Sequence, residues 1–271
     1  MEIDLEKLSV AVQYAGAEIQ RYFNKCGYGF PEFRWIQTEL QQPAFQHLCF
    51  GFKNRIYSVL VAIVMADGRI MMDEQTVDNQ LRECEKNNLI SGVIPMREYL
   101  HYYDPMTRME EFPLVNTAWF LARCSPIRLV SPRFYDLEEE IEMSPWEVHS
   151  LAIQVVRDDI IKHGGRVLSY CDIIGIHPSI WFEQEKGKAF VFVQSLSGGT
   201  PVGEEIRLSP DIREKLGGYG CYRARVSVAS AEPGKPLLRG KPCFIDYKGL
   251  ESASPGDFPS ATESYILRED V

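Results

Sequence analysis

The sequence lacks the short patterns that most directly assign a function. Its seven cysteines include no Cys-x-x-Cys pair, so a zinc knuckle or a dithiol redox site is unsupported. The glycine-rich stretches lack the Lys-Ser/Thr of a phosphate loop, and neither His-Glu-x-x-His nor Gly-x-Ser-x-Gly occurs. The longest apolar run, residues 59–66, is far shorter than a membrane span. We therefore expect no membrane partner and no cofactor.

Positive charge is also scarce. The chain of 271 residues has 29 Lys and Arg against 38 Asp and Glu, a net charge of −9. This balance disfavours nucleic acid as a partner, because phosphate contacts need clustered cations. The scattered, odd-numbered cysteines are typical of reduced thiols in a cytoplasmic protein. An apolar share of 45% is ample for packed cores, and the length favours one large or two small domains.

Residues 1–103 are predicted to form an N-terminal α/β lobe. Apolar residues recur at helical spacing over residues 4–23, which predicts an amphipathic helix. Further along, alternating patterns and turn residues predict the other elements. These are a strand over 33–41, a hairpin over 44–64 that turns at Lys53-Asn54, a helix opened by Asp73, and a strand over 89–96.

Residues 104–143 form a Pro-rich connector that we expect to pack on a domain surface. The second lobe, 144–251, opens with Ser144, Pro145 and Glu147, which have the spacing of a capping box. Its other elements are a strand over 167–176, a hairpin over 179–195, a helix over 209–218, and strands over 219–230 and 241–247. Residues 252–271 are predicted to be a polar, frayed tail.

The predicted fold class is α+β, or α/β, with mixed sheets flanked by helices. Both lobes are predicted to contain a helix, a strand, a hairpin, a helix and a strand in that order. Phe50 would correspond to Phe182 if the lobes arose by internal duplication, with the register uncertain by one residue. Shared element order is common in mixed folds, so duplication stays one of two interpretations.

The second lobe, from about 145 to 230, resembles the core of the PD-(D/E)XK nuclease-like superfamily. That core is a helix, a three-stranded section of sheet, a helix and a further strand. In active members a helix Glu, a strand Asp and a Glu-x-Lys converge on Mg²⁺. Carboxylates supply the hard oxygen ligands that Mg²⁺ prefers, and the metal activates the attacking water. The resemblance implies two restriction-endonuclease-like lobes if the duplication is real.

This resemblance can be carried over to four positions of the sequence. Glu147 matches the helix acid, and Asp172 matches the metal-binding Asp. The acid of Glu-x-Lys falls on Phe192 and its lysine on Gln194. Because Phe cannot bind a metal and a neutral amide supplies no positive charge, the resemblance implies a degenerate site. Glu147 also has a purely structural explanation in its capping box, whereas a carboxylate within the apolar stretch around Asp172 needs a partner or a function.

A second, literal match to the motif lies outside this alignment. Asp211 follows a proline, and Asp246 and Lys248 stand two residues apart on one predicted strand, so they would share a face. Asp211, however, is predicted to start a helix. His177 precedes a proline without a companion at ligand spacing, which favours a packed or exposed histidine over a metal ligand.

Two hypotheses follow from the sequence. The first is a non-catalytic cytoplasmic protein on a degenerate nuclease-like fold, which works by binding another protein. The alternative is a Mg²⁺-dependent nuclease that uses Asp172, or the pair Asp246 and Lys248.

Overall fold

The computed structural model describes residues 5–41, 43–64, 70–97, 121–122, 128–129 and 139–261. The chain divides into two compact units, one ending at Glu140 and the other beginning at Ile141. Each unit contains helices and one mixed sheet, which confirms the α+β class. Within the described ranges, no helix is long and apolar enough to cross a bilayer. Six cysteines, Cys26, Cys49, Cys84, Cys171, Cys221 and Cys243, are free thiols.

The described residues contain four α-helices, and two of them begin at the N-caps predicted from the sequence. Asp73 caps the second helix by accepting a hydrogen bond from the backbone N–H of Thr76 at 2.9 Å. Ser144 and Glu147 form the predicted capping box of the third helix. The helices are α1 Leu5–Lys25, α2 Glu74–Lys86, α3 Pro145–Lys162 and α4 Pro210–Leu216.

Fourteen strands make up the sheets. In the first unit they are β1 Phe33–Trp35, β2 His47–Phe52, β3 Arg55–Val64, β4 Ile70–Met71, β5 Ile90–Arg97, β6 Leu121–Ala122 and β7 Arg128–Leu129. In the second unit they are β8 Arg166–Tyr170, β9 Ile180–Gln184, β10 Gly187–Ser197, β11 Thr200–Pro201, β12 Gly220–Ser230, β13 Cys243–Tyr247 and β14 Glu251–Ser252.

The first unit is built on an antiparallel meander followed by a parallel strand. β1, β2 and β3 pair antiparallel, β4 adds a short antiparallel contact to the end of β3, and β5 pairs parallel with β3. Because α2 lies between β3 and β5 in the chain, it makes the crossover that parallel pairing requires. All ten residues of β3 are buried, as expected for a central strand that is covered on both faces.

The second unit has the same connectivity with two additional strands, β13 and β14, which both pair antiparallel with β12. β8, β9 and β10 form an antiparallel meander, β11 adds a short antiparallel contact to the end of β10, and β12 pairs parallel with β10 after α4. β13 then pairs antiparallel with β12 and forms one edge of the sheet, while β8 forms the other. The strand order is therefore β13-β12-β10-β9-β8.

The two sheets also share their register. Arg55 and Gly187 each follow a two-residue hairpin turn, and each pairs across that turn, with Phe52 and Gln184 respectively. In both units the parallel pairing begins two residues later, at Tyr57 and at Ala189. Phe50 and Phe182 then hold equivalent positions, each two residues before the end of the strand that precedes the turn.

Alternation along the central strand of the second unit separates two apolar cores. Val191 and Val193 of β10 pack with α3 in one core, whereas Phe190 and Phe192 pack with α4 in the other. The first unit has the same arrangement. Its main core packs alternate β3 residues against α1, and a smaller one packs Leu60 and Ala62 against α2.

Three sequence predictions differ from the structure. The strand expected over 33–41 ends at Trp35, and the Thr38 hydroxyl accepts a hydrogen bond from the backbone N–H of Leu40 at 2.9 Å in a local turn. The strand expected over 167–176 ends at Tyr170, and Gly175 adopts a φ of 89° that continues no strand.

The third difference concerns the predicted tail. Residues 252–261 pack on the second unit because Phe258 is buried and stacks at 4.3 Å, ring centre to ring centre, on Phe192. Residues 262–271 lie outside the described residues, as do 104–120, 123–127 and 130–138 of the expected connector.

Candidate functional site

Glu147, the candidate helix acid, is committed to structural contacts. Its side chain is buried and forms a two-point ion pair with Arg239, with distances of 2.8 Å from Nε to Oε1 and 2.7 Å from Nη2 to Oε2. Oε2 also accepts a hydrogen bond from the backbone N–H of Ser144 at 2.8 Å. The pair ties the start of α3 to a segment 92 residues away in the sequence. Both carboxylate oxygens are thus engaged by donors of the same unit.

Asp172, the candidate metal ligand, lies just beyond the end of β8 and is 1% exposed. Its Oδ2 accepts a hydrogen bond from the indole N–H of Trp146 at 3.1 Å. Since Trp146 and Glu147 are neighbours in the first turn of α3, both candidate acids are held by the N-terminal end of this helix. The buried carboxylate therefore has at least one dedicated donor, as a buried charge requires.

Phe192 and Gln194 lie on a different face from Glu147. Phe192 is fully buried in the core formed with α4, and Gln194 shares its face because strand side chains alternate. The α3 face of β10 carries Val193 and Ser195 instead. The structure therefore brings Glu147 and Asp172 to one helix end and separates them from the positions aligned with Glu-x-Lys.

A buried polar cluster lies at this end of the sheet. The Nδ1 atom of His149 lies 3.0 Å from the Ser195 hydroxyl, and the Ser179 hydroxyl accepts a hydrogen bond from the backbone N–H of Val193 at 3.2 Å. His149, Ser179 and Ser195 are each at most 3% exposed. We call His149, Ser179, Ser195 and His177 the His–Ser cluster.

The two histidines of the His–Ser cluster are held neutral. Burial lowers the pKa of His149 to about 4. Burial also lowers the pKa of His177 to about 4, and the proximity of His149 adds to the effect. His149 Nε2 and His177 Nδ1 are buried without a hydrogen-bond partner. Sequence reasoning did not select His149, Ser179 or Ser195, although a polar residue on an otherwise apolar face was the available signal.

The alternative residues occupy separate elements. Asp211 lies in the first turn of α4 and is exposed, as its predicted helical position requires. Asp246 lies on the edge strand β13, opposite Ser227, and is also exposed. Lys248 follows β13 and lines an open cleft of about 530 Å³. Across the described residues, no group of three His, Cys, Asp or Glu side chains is arranged to hold a metal ion.

The comparisons with known proteins concern the second unit. Residues 146–253 match a family described as Domain of unknown function (DUF8840). The match runs from the first turn of α3 to just beyond β14, so it contains the capping-box acid, Asp172 and the His–Ser cluster. Neither the curated proteins nor the solved structures gave a match to the chain.

Proposed function

We propose that the second unit is a nuclease-like fold without a hydrolytic centre, and that the chain is a cytoplasmic protein that works by binding another protein. The proposal rests on the contacts made at three of the four aligned positions. Glu147 is neutralised by Arg239, Asp172 is bound by an indole N–H, and Phe192 is a core residue.

The order of elements supports the nuclease-like part of the proposal. A helix, three antiparallel strands, a helix and a strand parallel to the third follow one another as α3, β8 to β10, α4 and β12. This is the order that the sequence resemblance implies for the core of that superfamily.

The chemistry of the α3 face supports the non-catalytic part. Where α3 meets the end of β10, the inward groups are the Ser195 hydroxyl, the Val193 side chain and the neutral imidazole of His149. Mg²⁺ prefers several charged oxygen ligands, and a developing charge on phosphate needs a cation or a strong donor. Hydroxyls and a buried neutral imidazole meet neither requirement.

A nuclease assay separates this proposal from the alternative. We expect no cleavage of single- or double-stranded DNA or RNA in the presence of Mg²⁺ or Mn²⁺. Cleavage that is lost in Asp172→Asn, or in Asp246→Asn, would establish the nuclease and end the proposal. Asp158→Asn, a change at an exposed residue of α3 outside both candidate sets, is the matched control for the Asp172 variant.

The edge strand β13 supports a protein as the partner. Among the described strands β13 pairs only with β12, so its outer backbone groups face away from the sheet. Phe244 is 67% exposed and Ile245 is 43% exposed, and successive strand residues point to opposite faces. A strand edge that is apolar on both faces suits an extended segment of another protein, which adds a strand through backbone hydrogen bonds and packs side chains on either face.

Substitution at this edge tests the partner. The tagged chain is purified from the cells that express it. The protein that co-purifies with it in fixed proportion is then produced separately and mixed with the purified chain. We expect Phe244→Lys to weaken the reconstituted complex by tenfold or more, as for an interface anchor of about 1.4 kcal/mol or above. Ile161→Lys, at an exposed position on α3, should leave it intact. A chain recovered alone, or equal binding by both variants, would contradict the proposal.

We also propose that the two units arose by duplication of one ancestral unit. The support is the shared register, in which Arg55 corresponds to Gly187 and Phe50 to Phe182. An experimental structure tests the proposal directly. The sheets should superpose with these pairs aligned and with α1 and α3 on the same face, and a best superposition in another register would contradict duplication.

A further inference from the structure

The open cleft beside Lys248 lies at the far end of α3 from the His–Ser cluster. It is formed by the last turn of α3, the end of β9 and the residues that follow β13, and its volume is about 530 Å³. Its lining consists of an apolar floor and a polar rim. The floor is made by Ile160, Phe182 and Leu250, and the rim by Asp159, His163, Gln184, Tyr247 and Lys248.

The carbonyls of Asp159, Ile160 and Ile161 in the last turn of α3 each accept a backbone hydrogen bond. The N–H of Gly165 donates to the carbonyl of Ile160 at 2.9 Å, and the N–H of Gly164 donates to that of Ile161 at 3.0 Å. Gly164 has a φ of 84°, so the helix ends in a Schellman-type turn that satisfies its last carbonyls. The N–H of His163 similarly donates to the carbonyl of Asp159.

Two neighbours contact the carboxylate in the rim. Tyr247 donates its hydroxyl to Asp159 Oδ2 at 2.9 Å, and burial together with this bond raises the pKa of Tyr247 well above its ordinary value. His163 Nδ1 lies 3.1 Å from Asp159 Oδ1 and 2.9 Å from the Asp159 carbonyl. Since both neighbours of Nδ1 are acceptors, the imidazole carries a proton on this nitrogen.

Gln184 is also engaged, because its side-chain amide donates to the Tyr222 hydroxyl at 2.9 Å. One donor of the rim remains for an anionic ligand, the ammonium of Lys248, which has no acidic partner among the described residues. A lysine ammonium presents three donors and no acceptor. The cleft thus combines an apolar floor with uncommitted positive charge.

We infer that this cleft binds a small organic anion, a carboxylate or a phosphate carried on an apolar body. The apolar body packs on Ile160, Phe182 and Leu250, and the anionic group accepts hydrogen bonds from the ammonium of Lys248. The inference is independent of the proposed function, because neither the His–Ser cluster nor the exposed edge residues Phe244 and Ile245 contribute a group to the cleft.

Binding of simple probes to the full chain tests the inference by NMR. Phenyl phosphate and benzoate separate the two anionic groups, inorganic phosphate lacks the apolar body, and phenol lacks the charge. We expect phenyl phosphate, benzoate or both to shift the amide signals of Gly165 and Gly249, which line the cleft, and to leave Gly198 at the opposite end of β10 unmoved. Inorganic phosphate and phenol should bind at least tenfold more weakly.

Lys248→Met keeps the aliphatic stem and removes the charge, so it should weaken the preferred probe by about tenfold, as expected for loss of one charge-assisted hydrogen bond. Lys241→Met, at an exposed lysine that precedes the same strand, is the matched control and should bind as the unaltered chain does. Unshifted cleft signals with every probe would overturn the inference. Equal binding by Lys248→Met, or equal shifts with phenol, would overturn the anionic assignment.

Discussion

The central strands β3 and β10 hold equivalent positions in the two units. The face of β3 that packs on α1 differs in polarity from the face of β10 that packs on α3, and only at one end. Val61 and Val193 are equivalent and both lie in an apolar core. Two residues later the first unit has Ile63, which stays in that core, whereas the second has Ser195 bound to His149. The first unit therefore builds the same connectivity with an apolar residue where the second buries a polar one.

Since the first unit forms a sheet of the same connectivity with an apolar residue at this position, the His–Ser cluster is not required for the sheet to form. A buried polar group contributes little net stability when it is paired and costs free energy when it is not. His149 Nε2 and His177 Nδ1 are buried without partners, so part of the cluster carries that cost. The first unit has one related feature, because His47 at the start of β2, equivalent to Ser179, also has both ring nitrogens buried without partners.

The largest effect is expected for the buried ion pair between Glu147 and Arg239 in the second unit. Glu147→Ala should destabilise the protein by about 3–5 kcal/mol, because the buried guanidinium of Arg239 would lose the carboxylate that forms a two-point ion pair with it. Urea unfolding measures the loss. Glu183→Ala, which breaks the exposed pair with Arg166, should cost less than about 1 kcal/mol. Recovery of most of the stability in the double variant Glu147→Met/Arg239→Leu would confirm the cause, and equal losses in both single variants would contradict it.

A second prediction concerns the equivalent residues Phe192 and Leu60, which are both fully buried on the α2 or α4 side of their sheets. Phe192→Ala should cost about 3–5 kcal/mol and Leu60→Ala about 2–5 kcal/mol, through lost burial and the cavity left behind. Gln194→Ala, at the next position on the same face as Phe192, should cost under about 1 kcal/mol. A small loss for Phe192→Ala would mean that this position is not core, and would weaken the equivalence.

A third prediction concerns pH. The pKa of His149 is lowered from 6.5 to about 4 in the folded protein, so the unfolded chain binds more protons between these values. The contribution of the neutral His149 to the free energy of unfolding is therefore fully present above pH 6.5. It decreases as the pH drops towards 4, by roughly 1.4 kcal/mol for each unit by which the folded and unfolded pKa values differ. His149→Asn should flatten this slope in pH-dependent unfolding, and His47→Asn should flatten it through the first unit, since the pKa of His47 is lowered equally. An unchanged slope in the His149 variant would contradict the prediction.

The smallest effect is expected at Asp172. Asp172→Asn should change the free energy of unfolding by less than about 1 kcal/mol, because an amide oxygen can still accept the Trp146 indole N–H and the buried charge disappears. Melting curves at neutral pH measure it, with Asp172→Ala as the variant that removes the acceptor and should be the less stable of the two. A large loss in Asp172→Asn would show that the charge itself is a structural partner.

Local signals predicted much of the fold. The Asp73 cap, the Ser144 capping box and the turn after Phe52 each depend on residues within a few positions of one another, and each lies where the sequence placed it. The prediction of a strand beyond Tyr170 was wrong. The apolar residues of this segment are spaced as in a strand, but Gly175 has a left-handed backbone conformation, which the spacing of apolar residues does not reveal.

The candidate site could be predicted only in part, because its decisive contacts are distant in sequence or depend on register. The partner of Glu147 is Arg239, 92 residues away, and no local pattern connects them. Asp172 was correctly expected to need a donor, but the indole of Trp146 was not foreseen. A shift of one residue along β10 exchanges Phe192 for Val193 and so exchanges one face of the sheet for the other.

The contacts of Ser144 and Phe258 set the limits of the smallest fragment that could fold alone. A fragment cut at the ends of the family match would begin after Ser144, and so lose the cap of α3, and would end before Phe258, which covers Phe192. The backbone of Met143 also donates to the carbonyl of Leu237, and that of Arg239 to Ile141. A recombinant domain with these contacts intact must therefore span at least residues 141–258, so the folding unit is longer at both ends than the segment that matches the family.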